Sequence, residues 1–187
     1  MSRRRSKREA LLGAAATLVA DRGYSALTLD AVGSAVGVSK GGVLYHFPTK
    51  EALVRALVEE LAARFDADQS AAHDADPVAP GAWTRAYLTA SSTPPQSESE
   101  HFTAVALLAA VGYDPTLLQP IQDRYRAWAQ RLDDDGLAGV DAHVVRLAAD
   151  GLWTADLFGL APPDPALRAR IFARLAELAS ASGGRRP

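Results

Sequence analysis

Apolar side chains recur every three or four positions along almost the whole chain. No stretch alternates apolar and polar residues in the two-residue rhythm of a strand. The pattern predicts an all-α fold of about nine helices. The first spans Ser6 to Arg22, with Leu11, Ala15, Leu18 and Val19 as its buried stripe. Ser6 and Glu9 have capping-box spacing: the hydroxyl accepts from one free amide and the carboxylate reaches back to another. Gly23 ends this helix. A second helix runs from a cap at Thr28 to Gly37, and a third begins at Ser39. Pro48 interrupts the chain, Thr49 caps a long fourth helix, and Leu53, Leu57, Leu61 and Phe65 line one of its faces.

Pro77, Pro80 and Gly81 mark a loop, and Trp83 to Ala90 reads as a short helix. Residues 91–100, "SSTPPQSESE", read as an exposed, mobile connector. His101 to Val111 is almost wholly apolar and is expected to be central. Pro115 to Leu132 reads as one helix, ended by the charge run Asp133-Asp134-Asp135. Asp141 to Leu160 and Pro165 to Ser182 follow, split by "APPDP". The terminal "GGRRP" is expected to fray.

Composition narrows the class. No apolar run reaches the roughly 20 residues that a membrane-spanning helix needs. The basic N-terminus is followed by no long apolar segment, so it does not read as a secretory signal. The expected location is the cytoplasm, with no membrane partner. There is no cysteine, which removes disulfides and thiolate chemistry. His73, His101 and His143 lack metal-site spacing, so neither a metal nor a cofactor is expected.

The net charge of −2 conceals an asymmetry: residues 1–50 carry +5 and the remainder −7. All three lysines fall in the first 50 residues, and no acid lies between Ala31 and Lys50. A small basic unit joined to a larger acidic one points to a polyanionic partner for the first part alone.

Residues 28–47 say what that polyanion is. Counted from Thr28, Gly33 is five on, Gly37 nine on and Val43 fifteen on. A helix-turn-helix needs a small residue where its helices cross, a glycine in the left-handed turn, and a branched apolar residue to seat the second helix. All three are present at consistent spacing. Gly41 and Gly42 fall in the first turn of the second helix, the part that meets base edges. Each costs about 1 kcal/mol relative to alanine, and bare backbone there allows close approach to DNA. Ser39 caps this helix, and position 42 lacks the capping-box glutamate that would repel phosphate. Lys40 is a donor for guanine or phosphate, and Tyr45 and His46 are donors for phosphate oxygens. Lys50, at the start of the next helix, reads as a phosphate anchor. The segment "SRRRSKR" contributes Arg3, Arg4, Arg5, Lys7 and Arg8 as a flexible arm for the phosphates or the minor groove.

Residues 8–55 resemble the DNA-binding domain of the tetracycline-repressor (TetR) family. The stretches "ADRGYSALTLDAV" and "GVSKGGVLYHFPTKEALV", with the cap at Thr28, carry the likeness. The family usually has threonine, serine or alanine where Gly42 stands and tyrosine where Leu44 stands. The resemblance implies an all-helical homodimer with a C-terminal pocket for a small-molecule effector. It also implies double-stranded operator DNA as partner, released when the effector binds. On that basis residues 1–50 hold the arm and helix-turn-helix. Residues 51–187 hold the ligand-binding and dimerisation domain, with the fourth helix shared at the junction.

Two apolar stripes fit a dimer interface. One presents Val144, Leu147, Gly151, Leu152, Ala155 and Phe158, the other Leu167, Ile171, Leu175 and Leu178. Two such helices from each subunit form a four-helix bundle. Phe65, Trp83, Tyr87 and Phe102 are candidate pocket residues, with Tyr113, Tyr125, Trp128 and Trp153 further along. No polar set converges among them to name a ligand. No nucleophile–base pattern or phosphate-binding glycine loop supports catalysis. The alternative reading is a helical regulator that works through protein–protein contacts with a weakened DNA site, motivated by Gly42 and Leu44. An enzyme on a helical scaffold has no residue set behind it.

Overall fold

Helix-favouring periodicity becomes helix throughout the computed structural model, which describes residues 6–92, 114–137 and 140–180. Among the described residues there are eight α-helices and no strand. They are α1 (Lys7–Arg22), α2 (Leu29–Val36), α3 (Lys40–His46), α4 (Lys50–Ala75), α5 (Ala82–Ser92), α6 (Gln119–Asp133), α7 (Asp141–Phe158) and α8 (Pro165–Ser180). Two short 3-10 turns, Tyr24–Ala26 and Pro115–Leu118, join them. The expected connector beyond Ser92 and the expected helix His101–Val111 lie outside the described residues. The segment from Pro115 is not one helix. It opens as a 3-10 turn, because Asp114 Oδ1 accepts from the Thr116 amide at 2.9 Å and from its hydroxyl at 2.7 Å.

The chain divides into two units. The first comprises Met1–Ala62 with Pro95–Gln122. Its core collects the apolar faces of α1, α2, α3 and the start of α4. Leu11, Ala15, Leu27, Val32, Val43 and Leu53 are all wholly buried. Burying a leucine or valine of this kind contributes about 1.5–3 kcal/mol, enough to hold helices too short to stand alone. The capping box on α1 closes as expected. Ser6 Oγ accepts from the Glu9 amide at 3.2 Å, and Glu9 Oε2 accepts from the Ser6 amide at 2.9 Å.

The second unit comprises Ala63–Pro94 with Asp123–Pro187. Leu88, Val145, Leu175 and Ala179 form a buried cluster that joins α5, α7 and α8. Asp135 is not a mere member of a helix-ending charge run. It is 7% exposed, and its carboxylate accepts from the amides of Trp83 at 2.9 Å and Thr84 at 2.7 Å. Those are free donors of the first turn of α5, so a residue 51 positions away caps that helix. The Thr84 hydroxyl donates to the same carboxylate at 2.7 Å.

Candidate functional site

The helix-turn-helix forms from local chemistry. Thr28 Oγ1 accepts from the Ala31 amide at 3.1 Å and starts α2. Gly37 takes the left-handed conformation at φ 70° and ψ 30°, which turns the chain without a Cβ penalty. Ser39 Oγ then accepts from the Gly42 amide at 3.3 Å and starts α3. The helices cross at Gly33. A Cβ there would come within 2.8 Å of both the Val38 carbonyl oxygen and Val43 Cγ2. Val32, Val43 and Phe47 fill the space beneath.

The seating of Val43 fixes which face of α3 is free. Lys40, Gly41, Leu44 and Tyr45 are exposed, Tyr45 to 84%. Gly42 and His46 are half-buried. The two glycines differ. A Cβ at Gly41 would meet no atom within 4 Å, so its bare backbone faces open space. A Cβ at Gly42 would meet Val38 Cγ1 at 2.8 Å, so that glycine answers to packing as well as to approach. Beside this face an open groove of about 570 Å³ is lined by Lys7, Ser39, Gly42, Tyr45 and His46, among others.

The cations are arranged differently from expectation. Arg3, Arg4 and Arg5 lie outside the described residues. Lys7 and Arg8 do not belong to a flexible arm. The Ser6 cap draws both into α1, where Lys7 lines the groove and the Arg8 guanidinium lies 5.6 Å from the centre of the Phe47 ring. Lys40 Nζ donates to Asp30 Oδ2 at 3.2 Å, an exposed pair. The acid-free run after Ala31 therefore does not leave Lys40 alone, because Asp30 is one position earlier and one helix away. Lys50 Nζ donates to the Tyr24 carbonyl at 3.0 Å and lies 3.9 Å from the centre of the Tyr24 ring. Partial burial holds its pKa below the ordinary lysine value, against the opposing pull of Glu51. This cation already has partners, and it ties the start of α4 to the first 3-10 turn.

In the second unit the candidate pocket aromatics pack on one another. Phe65 meets Tyr87 and Trp128 edge-on, with ring centres 5.3 and 4.9 Å apart, and Tyr125 meets Trp128 at 5.0 Å. Tyr87 and Trp128 are buried. Trp83 stacks on His73 at 4.0 Å and carries the Arg131 guanidinium at 4.7 Å, and Trp153 is half-buried. Phe102 and Tyr113 lie outside the described residues.

Two polar sets that were not legible in the sequence converge on this cluster. Asp66 accepts from Arg131 at 2.7 Å, Trp128 Nε1 at 3.1 Å and Arg124 at 3.2 Å. Burial alone would raise its pKa, but these donors hold it below the ordinary carboxylate value. Asp150 accepts from the Tyr87 hydroxyl at 2.6 Å, from the Tyr125 hydroxyl at 3.4 Å and from Arg146 at 3.4 Å. Here burial wins and the carboxyl is pushed up, against the pull of Tyr87 and Arg146. Burial, reinforced by Asp150, also pushes the Tyr125 phenol up to about 12.

The apolar stripes of α7 and α8 split in two. Leu175 is buried in the chain's own core, and half-buried Leu152, Ile171 and Leu178 pack against the same cluster. Ala155 is half-buried. Val144, Leu147, Gly151, Phe158 and Leu167 are exposed. Among the described residues no group of three histidines or carboxylates is placed to hold a metal, and no helix is long and apolar enough to cross a membrane.

Residues 81–180 match the family model described as tetracyclin repressor-like, C-terminal domain. Residues 11–57 match the model described as bacterial regulatory proteins, tetR family. The HTH-type transcriptional repressor KstR2 of Mycolicibacterium smegmatis is 36% identical over 55 residues. That stretch is 29% of this chain and 27% of the relative, so the match spans about a quarter of the relative's length. Three solved structures share the fold. The ketosteroid transcriptional regulator KstR2 of Mycobacterium tuberculosis superposes with a TM-score of 0.63 at 20% identity, over 95% of both chains. The fatty acid degradation regulator FadR of Bacillus halodurans does so with 0.66 at 14% identity, over 98% of this chain and 100% of its own. The TetR-family regulator PfmR of Thermus thermophilus gives 0.56 at 21% identity, over 94% and 99%.

Proposed function

The chain belongs to the tetracycline-repressor family of transcriptional regulators, and from that premise we propose that it is a homodimeric, operator-binding repressor released by a small molecule. The observation that carries this reading is the free face of α3: exposed Lys40, bare Gly41 and exposed Tyr45, beside a groove that brings in Lys7 and His46. In this reading residues 1–50 read DNA, and residues 51–187 bind the effector and the second subunit. Lys7, Thr28, Ser39, Lys40, Tyr45 and His46 meet phosphates and base edges. Lys50 positions the start of α4 through Tyr24.

A two-fold dimer places two copies of α3 in successive major grooves, roughly 34 Å apart, on a near-palindromic site. The exposed Val144, Leu147, Phe158 and Leu167 support α7 and α8 as the face for the second copy. The aromatic cluster with Asp150, Tyr87, Tyr125 and Arg146 supports an effector region that pairs apolar walls with a few polar groups. Likeness of fold to a ketosteroid regulator assigns no effector. Helix α4 contributes to both units, so it is the element through which an effector would bias DNA affinity. The size of that effect is bounded by the effector's differential affinity for the two states.

A gel-shift series with the DNA upstream of the protein's own gene, run across salt concentrations, tests the reading. The expected result is sequence-specific, salt-dependent retention of a dimer. Sequence-blind binding would instead favour a regulator acting through protein contacts.

A further inference from the structure

Most of the exposed face of α3 is polar or bare, with one exception. Leu44 is 39% exposed and is not among the residues packed against the core of its unit. It stands three positions after Gly41, so the two share a helix face. Gly41 leaves open space on that face: an added Cβ there would meet no atom within 4 Å, the Leu44 side chain included. Leu44 is therefore an exposed apolar side chain, with no donor or acceptor of its own, next to bare backbone. On one side stands Lys40, whose ammonium is bonded to Asp30, and on the other Tyr45. The first 50 residues carry +5, which suits a duplex as the occupant of this face. Among the base-edge features of the major groove, the apolar one is the 5-methyl group of thymine.

We propose that Leu44, exposed on the same face as the open space at Gly41, reads the 5-methyl of a thymine in each operator half-site. The inference rests on the operator-binding reading above and adds a specificity-determining residue to it. A contact of this kind discriminates T·A from the same pair lacking only the methyl. Burying one methyl group contributes about 0.8 kcal/mol, which converts to a roughly fourfold change in affinity.

The test begins with the full-length protein selecting its site from random-sequence duplexes. Each thymine of the selected site is then replaced singly by deoxyuridine, which removes the methyl and nothing else. Wild type should lose about fourfold in affinity at one position per half-site, and Leu44→Ala should be indifferent to that same replacement. Leu44→Met, which keeps an apolar side chain of similar volume, should retain the sensitivity, and thermal melts confirm that each variant folds. Equal sensitivity of wild type and Leu44→Ala at every thymine overturns the inference while leaving DNA binding intact. If wild type selects no sequence at all, the operator-binding reading fails first and this inference falls with it.

Discussion

The helix-turn-helix and the C-terminal unit are both helical, yet they are organised on opposite principles. In the first, every defining interaction is short in sequence. Thr28 caps three residues on, Ser39 caps three residues on, and the Gly33 crossing lies under Val38 and Val43. In the second, the defining interactions are long. Asp135 caps α5 from 51 residues away, Asp66 holds Arg131 from 65, and Tyr87 holds Asp150 from 63. The first unit keeps Lys40 and Tyr45 on an exposed face, whereas the second holds Asp66, Asp135 and Asp150 among donors distant in sequence. An exposed surface tolerates change one residue at a time. A network of buried partners does not, because each deletion leaves a neighbour unsatisfied.

The sharpest break in that comparison is Asp135→Ala. It strips the acceptor from two first-turn amides and a hydroxyl in a buried setting, and should cost about 3 kcal/mol. The protein's three tryptophans, Trp83, Trp128 and Trp153, all belong to the C-terminal unit. Denaturant melts followed by tryptophan fluorescence therefore read that unit directly. A loss under 1 kcal/mol would mean water replaces the carboxylate and that the long-range cap is incidental.

This contrast also explains what the sequence disclosed. The first four helices, their caps at Ser6, Thr28, Ser39 and Thr49, and the spacing Gly33–Gly37–Val43 were readable because each rule involved spans a few residues. Where the reading missed, a distant partner decided. Asp133-Asp134-Asp135 reads only as a helix-ending charge run because nothing in it points to Trp83 and Thr84. Leu175 looked like a dimer contact because an apolar stripe does not say which neighbour covers it. Leu88 and Val145 cover it within the subunit. Lys50 reads as a phosphate anchor because nothing near it in sequence points to Tyr24, 26 positions earlier. The Asp150 set had no sequence signal, since two tyrosines, an arginine and an aspartate on three helices share no spacing.

Next in size is Asp66→Asn, which replaces a carboxylate gripped by two arginines and an indole and should cost about 2 kcal/mol. Its pH dependence sharpens the comparison within the C-terminal unit. The Asp66 pKa is depressed on folding, so its stabilisation is complete above the unfolded value of about 3.9 and drains away as pH falls through the folded one. Asp150 runs the other way. Its pKa is raised, so its contribution is complete below the unfolded value and is lost as pH rises through the folded one. Melts of Asp66→Asn and Asp150→Asn between acidic and neutral pH should diverge. The first should fall further behind wild type as pH rises, and the second should gain on it. Parallel curves would mean that neither carboxyl is perturbed by its surroundings.

Lys50→Ala asks whether the first unit contains any buried tie of the C-terminal kind. Removing the contact with the Tyr24 carbonyl and ring should cost about 1 kcal/mol. It should also speed amide hydrogen exchange around residues 24–29, with little change in the salt slope of DNA binding. A slope reduced by about one, with exchange unaltered, would instead return Lys50 to the phosphate backbone.

The smallest effect is the most telling about the free surface. Lys40 and Asp30 form an ion pair with 68% and 65% of their side chains exposed, so screening leaves it worth about 0.2–1 kcal/mol at most. If this face meets DNA as proposed, such a pair restrains the cation and sets an acid against phosphate. Asp30→Asn should therefore leave stability nearly unchanged and raise operator affinity by about twofold at low salt, and the gain should vanish as salt rises. Loss of affinity would point the other way: Asp30 would be holding Lys40 in the pose that reads a base, and the pair would be part of the recognition surface rather than a restraint on it.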